Sequence, residues 1–123
     1  MILVNVARVA VVAVVFMAVG CSSSNKGKIE GTKWSSNAAT VQGKSLGAGA
    51  LMLEFKSDGK LVYKAGDTTW TGTYSLGMGD SVTFNTDQKL GNGTKNTERI
   101  NINGNTLTMK DSDGTSLTFT KSN

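Results

Sequence analysis

The sequence predicts an all-β domain, an antiparallel up-and-down barrel of eight strands. Three observations carry that expectation. The 123 residues hold no proline to interrupt a strand, and no window repeats apolar residues every 3.6 positions as a helix would. Bulky apolar side chains instead fall at every second position, as in Leu51, Leu53 and Phe55 or Trp70, Tyr74 and Leu76, the pattern of strands with one buried and one wet face. Short glycine-bearing connections separate these runs, and a meander of eight strands leaves two raw edges unless its first and last strands meet.

The N-terminal residues lie outside that pattern. Residues 1–20, MILVNVARVAVVAVVFMAVG, carry one charge, Arg8, ahead of an apolar run. The run is too short for a hydrocarbon core of about 30 Å, which takes about 20 apolar residues in a helix, and it suits the apolar region of an export signal. It ends at Ala18-Val19-Gly20-Cys21, followed by the polar SSSNKGK. These residues resemble the lipobox of bacterial lipoproteins, with Ala18 where that family usually has leucine. The resemblance implies cleavage before Cys21, a diacylglycerol thioether on its sulfur and an acylated amine. The alternative is a lone cysteine at the end of a transmembrane anchor. Acylation would hold the protein on a membrane of the bacterial cell envelope with its domain outside the cytoplasm, since two or more acyl chains give stable attachment.

On this reading residues 1–20 are a lipoprotein signal peptide, 21–28 a polar tether and 29–123 the barrel domain. No disulfide is available, because Cys21 is the only cysteine. Removing Arg8 from 13 basic residues leaves 12 against 9 acidic ones, a net charge of +3. The lysines are spread among acids, which argues against a nucleic-acid partner. Lys26, Lys28 and Lys33 stand near the anchor, where they either touch anionic headgroups or are solvated linker charges.

The strands are expected in the following order. Residues 29–36 hold Trp34. Residues 50–56 alternate Leu51, Leu53 and Phe55 with Met52, Glu54 and Lys56, and the Asp58-Gly59 turn leads to 60–65. The turn at 65–68 leads to 68–76, in which Trp70, Tyr74 and Leu76 alternate with Thr69, Thr71, Thr73 and Ser75; GMGD then leads to 80–85. Ile100 and Ile102 mark 96–102, Leu107 and Met109 mark 105–110, and a second Asp-Gly turn opens 115–121 with Leu117 and Phe119. Glycine supplies the positive φ that tight hairpins demand. Two connections are long, 37–49 and 86–95, and alternation of the strands puts both at the same rim, where they would form a mouth.

This layout resembles the lipocalin-like small barrels of bacterial lipoproteins. The elements are Gly31-Thr32-Lys33-Trp34, then LEFKSDGKLVY at 53–63, GTYSL at 72–76, and the closing hairpin LTMKDSDGTSLTF at 107–119. The resemblance implies that Trp34 plugs the closed end, with a basic residue of the last strands, Lys121 or Lys110, stacked on it. Gly72, between Trp70 and Tyr74, would let the strand bend or a ring approach. Eight strands give an interior that either fills with side chains or holds one small molecule. The inward positions are mostly large, which favours a packed interior; the alternative is a small pocket under the long-loop rim, lined by Tyr63, Trp70 and Tyr74.

The sequence offers little for catalysis. It contains no histidine to relay protons near neutral pH, and no serine stands at a recognisable spacing from a base. Its acids fall mostly at turns or on expected wet faces. Asp111 and Asp113 resemble a fragment of a calcium loop, but Ser122 stands where the loop needs glutamate. The expectation is therefore a non-enzymatic protein without metal or cofactor. It is a lipid-anchored envelope barrel that binds a small apolar or amphiphilic molecule, or else a packed barrel acting as a structural, protein-interaction or inhibitor-like module on an envelope protein.

Overall fold

The computed structural model describes residues 22–111 and 114–122. Cys21, with the signal and lipobox reading, lies outside the described residues, as does Asp113. The described residues form ten strands and no helix: β1 (Thr32–Ser36), β2 (Ala39–Val41), β3 (Lys44–Leu46), β4 (Leu51–Phe55), β5 (Lys60–Ala65), β6 (Thr68–Leu76), β7 (Ser81–Leu90), β8 (Gly93–Asn103), β9 (Thr106–Lys110) and β10 (Ser116–Lys121).

Eight of them close into an antiparallel barrel in the order β1-β10-β9-β8-β7-β6-β5-β4. Closure comes from β1, which pairs with β4 through Trp34–Leu53 and with β10 through Trp34–Lys121. No barrel strand is left with an unpaired edge, which answers the edge problem that a meander poses.

Period-two patterning places the core. Trp34, Leu53, Phe55, Leu61, Val82, Phe84, Ile100, Leu107 and Phe119 are all fully or almost fully buried, and each such side chain contributes about 1.5–3 kcal/mol by leaving water. Phe55 sits at the centre of an aromatic cluster. Its ring meets Tyr74 edge-on at 5.1 Å and Phe84 at 5.9 Å, geometries that suit the ring quadrupole.

Two segments expected to be loops are strands. Residues 37–49 hold the small β2–β3 hairpin, separate from the barrel sheet. Its turn is Gln42-Gly43, both at positive φ, the backbone a two-residue hairpin needs. Residues 86–95 extend β7 and β8 beyond the expected ends, with a register irregularity between Asn85 and Leu90. That irregularity brings the Asn85 carbonyl onto Gly72, where a Cβ would lie 1.9 Å from the oxygen. Gly72 thus admits neighbouring backbone, not a ring.

The N-terminal residues also differ from the expected tether. Ser23 forms a bridge to Gly79, and the Ser24 amide and hydroxyl each donate to the Gly79 carbonyl at 2.8 Å. Asn25 is only 1% exposed, and its Nδ2 donates to the Ile100 carbonyl at 3.0 Å. Ile29, expected to open the first strand, instead enters the core fully buried, and the Gly31 amide donates to the Phe55 carbonyl at 2.7 Å before β1 begins. Polar composition suggested a free linker, but the serines and Asn25 use their polarity on barrel carbonyls. Residues 23–31 therefore cap one end of the barrel.

Candidate functional site

The two ends of the barrel are built differently. At the capped end, β1 begins and β10 finishes, joined by the turns at 56–60, 77–80 and 103–105. Trp34 is fully buried near this end and donates its indole N–H to Thr32 Oγ1 at 2.8 Å. Thr32 Oγ1 in turn donates to the Ile29 carbonyl. Of the two lysines offered for stacking, Lys121 stands over the indole, its Nζ 6.0 Å from the ring centroid.

At the opposite end lie the β2–β3 hairpin and the connections β5–β6, β7–β8 and β9–β10. Here the core stops short of the rim and leaves a cavity of about 290 Å³. Phe84, Met109 and Leu117 line its depth together with Tyr63; Leu90, Gly91 and Asn92 of the β7–β8 turn border it. Asn92, Asn96, Glu98 and Asp111 bring polar side chains to it.

Strand alternation explains these positions. Asn96, Glu98, Ile100 and Ile102 share the inward face of β8, the first two lying toward the mouth and Ile100 fully buried. Asn96 turns its amide to the rim, donating to the carbonyls of Leu90 at 3.0 Å and Gly93 at 3.2 Å, which fixes the β7–β8 turn beside the cavity. Asp111 Oδ1 accepts the Thr115 amide at 2.9 Å, a local bond that holds its carboxylate at the rim. Around the mouth, Lys44, Lys64, Lys89, Lys95 and Lys110 stand among Asp67, Asp87, Glu98 and Asp111.

The three aromatic side chains expected to line a pocket do not converge on it. Tyr63 lines the cavity. Trp70 packs against Tyr63, ring centroids 5.7 Å apart, but is not part of the lining; its Nε1 donates to the Lys89 carbonyl at 2.8 Å. With Thr71 Oγ1, which donates to Asp87 Oδ2 at 2.9 Å, it braces the irregular stretch of β7. Tyr74 sits at the capped end, its hydroxyl donating to the Lys56 carbonyl at 2.7 Å. Sequence reasoning missed Glu98 and Asn96. Their signal was available, since both stand at even spacing from Ile100.

Electrostatics distinguish Tyr63. Burial, reinforced by the negative charges of Glu98 and Asp111, pushes its phenol up from 10.0 to about 12. Between those values the folded chain keeps a proton that the unfolded chain has released, so this group's contribution is intact below pH 10 and is lost as pH rises to about 12. Tyr74 is raised as well, by burial first and then by Glu30 and Asp58. The chain has two tyrosines, so tyrosinate absorbance of the folded protein should lag behind that of the urea-unfolded chain. Tyr63→Phe should delete the step near pH 12; persistence of that step would assign it elsewhere.

Among the described residues, no group of three or more histidine, cysteine or acidic side chains is placed to hold a metal ion. Comparison with family models, with curated proteins and with solved structures finds no match to this chain. The mouth therefore has to be interpreted from its own chemistry.

Proposed function

We propose that this chain is a lipid-anchored protein of the bacterial envelope whose small lipocalin-like barrel holds one small amphiphilic molecule at its mouth. The observation that carries the reading is the mouth cavity, with apolar walls in depth and carboxylate and amide groups toward the rim. Small-molecule sites combine mostly apolar walls with a few polar groups that fix orientation. Here Phe84, Met109 and Leu117 would take an apolar body. Glu98 and Asp111 accept hydrogen bonds and are negative when ionised, which favours a head that donates, an amine above all. A volume of about 290 Å³ limits the occupant to a compact molecule.

The anchoring half of the proposal rests on the apolar run ending at Gly20-Cys21. Native mass spectrometry of protein extracted from its own membrane tests both halves together. The expected spectrum carries the acyl mass on Cys21 and a retained small molecule, and the retained mass should be lost in Met109→Trp, which fills the cavity, and reduced in Glu98→Gln. An empty barrel that co-purifies with a stoichiometric envelope protein would replace ligand binding with the packed interaction module. A mature chain without acyl mass would remove the anchor.

A further inference from the structure

The capped end of the barrel lies very close, along the chain, to the residue read as the lipid attachment point. The described chain is fastened from Ser23 onward, by the bridge to Gly79 and the two Ser24 bonds to its carbonyl. Cys21 precedes Ser23 by two residues, and two residues of extended chain reach at most about 7 Å. The SSSNKGK stretch thus leaves almost no free length between an acylated Cys21 and the barrel.

The surface at that point has a particular character. Met78, next to Gly79, is 70% exposed, against 40% for Met52 on the barrel wall, the other exposed large apolar side chain among the described residues. Lys26, Lys28, Lys56 and Lys60 are exposed on the cap and the neighbouring β4–β5 turn. The acids of this end are engaged locally: Glu30 accepts the Gly27 amide, Asp58 accepts the Lys60 amide, and Asp80 pairs with Arg99 at 3.2 Å. At this end Lys26, Lys28, Lys56, Lys60, Arg99 and Lys121 stand against Glu30, Asp58 and Asp80, a larger positive excess than at the mouth.

We propose that the capped end seats directly on the membrane that holds Cys21, with Met78 at the headgroup boundary and Lys26, Lys28, Lys56 and Lys60 facing anionic headgroups. The inference rests on the anchoring reading above. An exposed apolar side chain on the same barrel end as exposed lysines suits an interfacial position, and lysines near a negative leaflet are attracted to it within a Debye length. A long linker would let the domain tumble, whereas a reach of about 7 Å keeps this rim at headgroup depth. The mouth then opens away from the bilayer, so its occupant arrives from the aqueous side and not from the lipid beneath.

The test uses the full acylated chain in phosphatidylglycerol vesicles, with an environment-sensitive fluorophore placed through Met78→Cys at the cap or Asp67→Cys at the mouth. Mass spectrometry of each preparation establishes acylation at Cys21 independently. The expected result is a blue shift and loss of iodide quenching at position 78, with full iodide quenching at position 67. High salt or phosphatidylcholine vesicles should restore part of the quenching at position 78. Equal quenching at both positions on acylated protein overturns the seating and leaves the anchor standing, and shielding at position 67 alone overturns it by reversing the orientation. Unacylated Cys21 removes both the anchor and the seating.

Discussion

Gly72→Ala is expected to destabilise the barrel by about 3 kcal/mol or more, the upper range for forcing a group into filled space. The added methyl would stand 1.9 Å from the Asn85 carbonyl oxygen and 2.8 Å from the Thr86 Cα. Both are backbone atoms, so no side-chain rotation relieves the overlap. Relief requires β6 and β7 to separate where they pair from Gly72–Thr86 to Leu76–Val82. For a domain of this size the midpoint of thermal unfolding should fall by about 12 °C or more. Gly93→Ala is the control: its Cβ would meet nothing within 4 Å, and its cost should stay within about 0.5 kcal/mol. Circular dichroism melts of the two variants decide the matter, and similar midpoints would show that the strand contact is not rigid.

Trp34→Ala should cost about 3–5 kcal/mol, the range for emptying a fully buried aromatic site. The indole fills the capped end and bridges to Thr32, which itself reaches the Ile29 carbonyl. Removal leaves a void between β4 and β10, the two partners of β1, and a buried hydroxyl without its donor. Small domains have only about 5–15 kcal/mol in total, so the variant should be partly unfolded at body temperature. Trp34→Phe keeps a ring but not the N–H, and an intermediate loss in urea titrations is expected. Equal losses for the two variants would assign the whole effect to the hydrogen bond.

Much of the barrel was legible because inward positions at period two are large and outward ones polar, from Leu53 and Phe55 to Leu107 and Met109. What escaped has physical reasons. β2 and β3 are three residues each and carry few bulky side chains, so they lack an amphipathic signature and are recognised only by the Gln42-Gly43 backbone. The extensions of β7 and β8 run past the core, where Asp87, Gln88, Lys89 and Lys95 need no apolar alternation. Asn25 is held by a carbonyl 75 residues away, and a single long-range bond leaves no local pattern. Glu98 was missed because a carboxylate is expected on a wet face; here the wet space is inside, at the mouth. Tyr74 was grouped with Tyr63 on the strength of a shared inward face, and only the height along the barrel axis separates them.

Joining β1 to β10 also dictates an order of events. The first strand cannot complete its hydrogen bonding until the last one has been synthesised and, if exported, has crossed the membrane. Until then a growing chain presents an open, curled sheet with two adhesive borders, the kind of long-range topology that matures slowly. Loss of β10 would be felt at Trp34, nearly ninety residues upstream, and a holding chaperone would be needed most until β10 emerges.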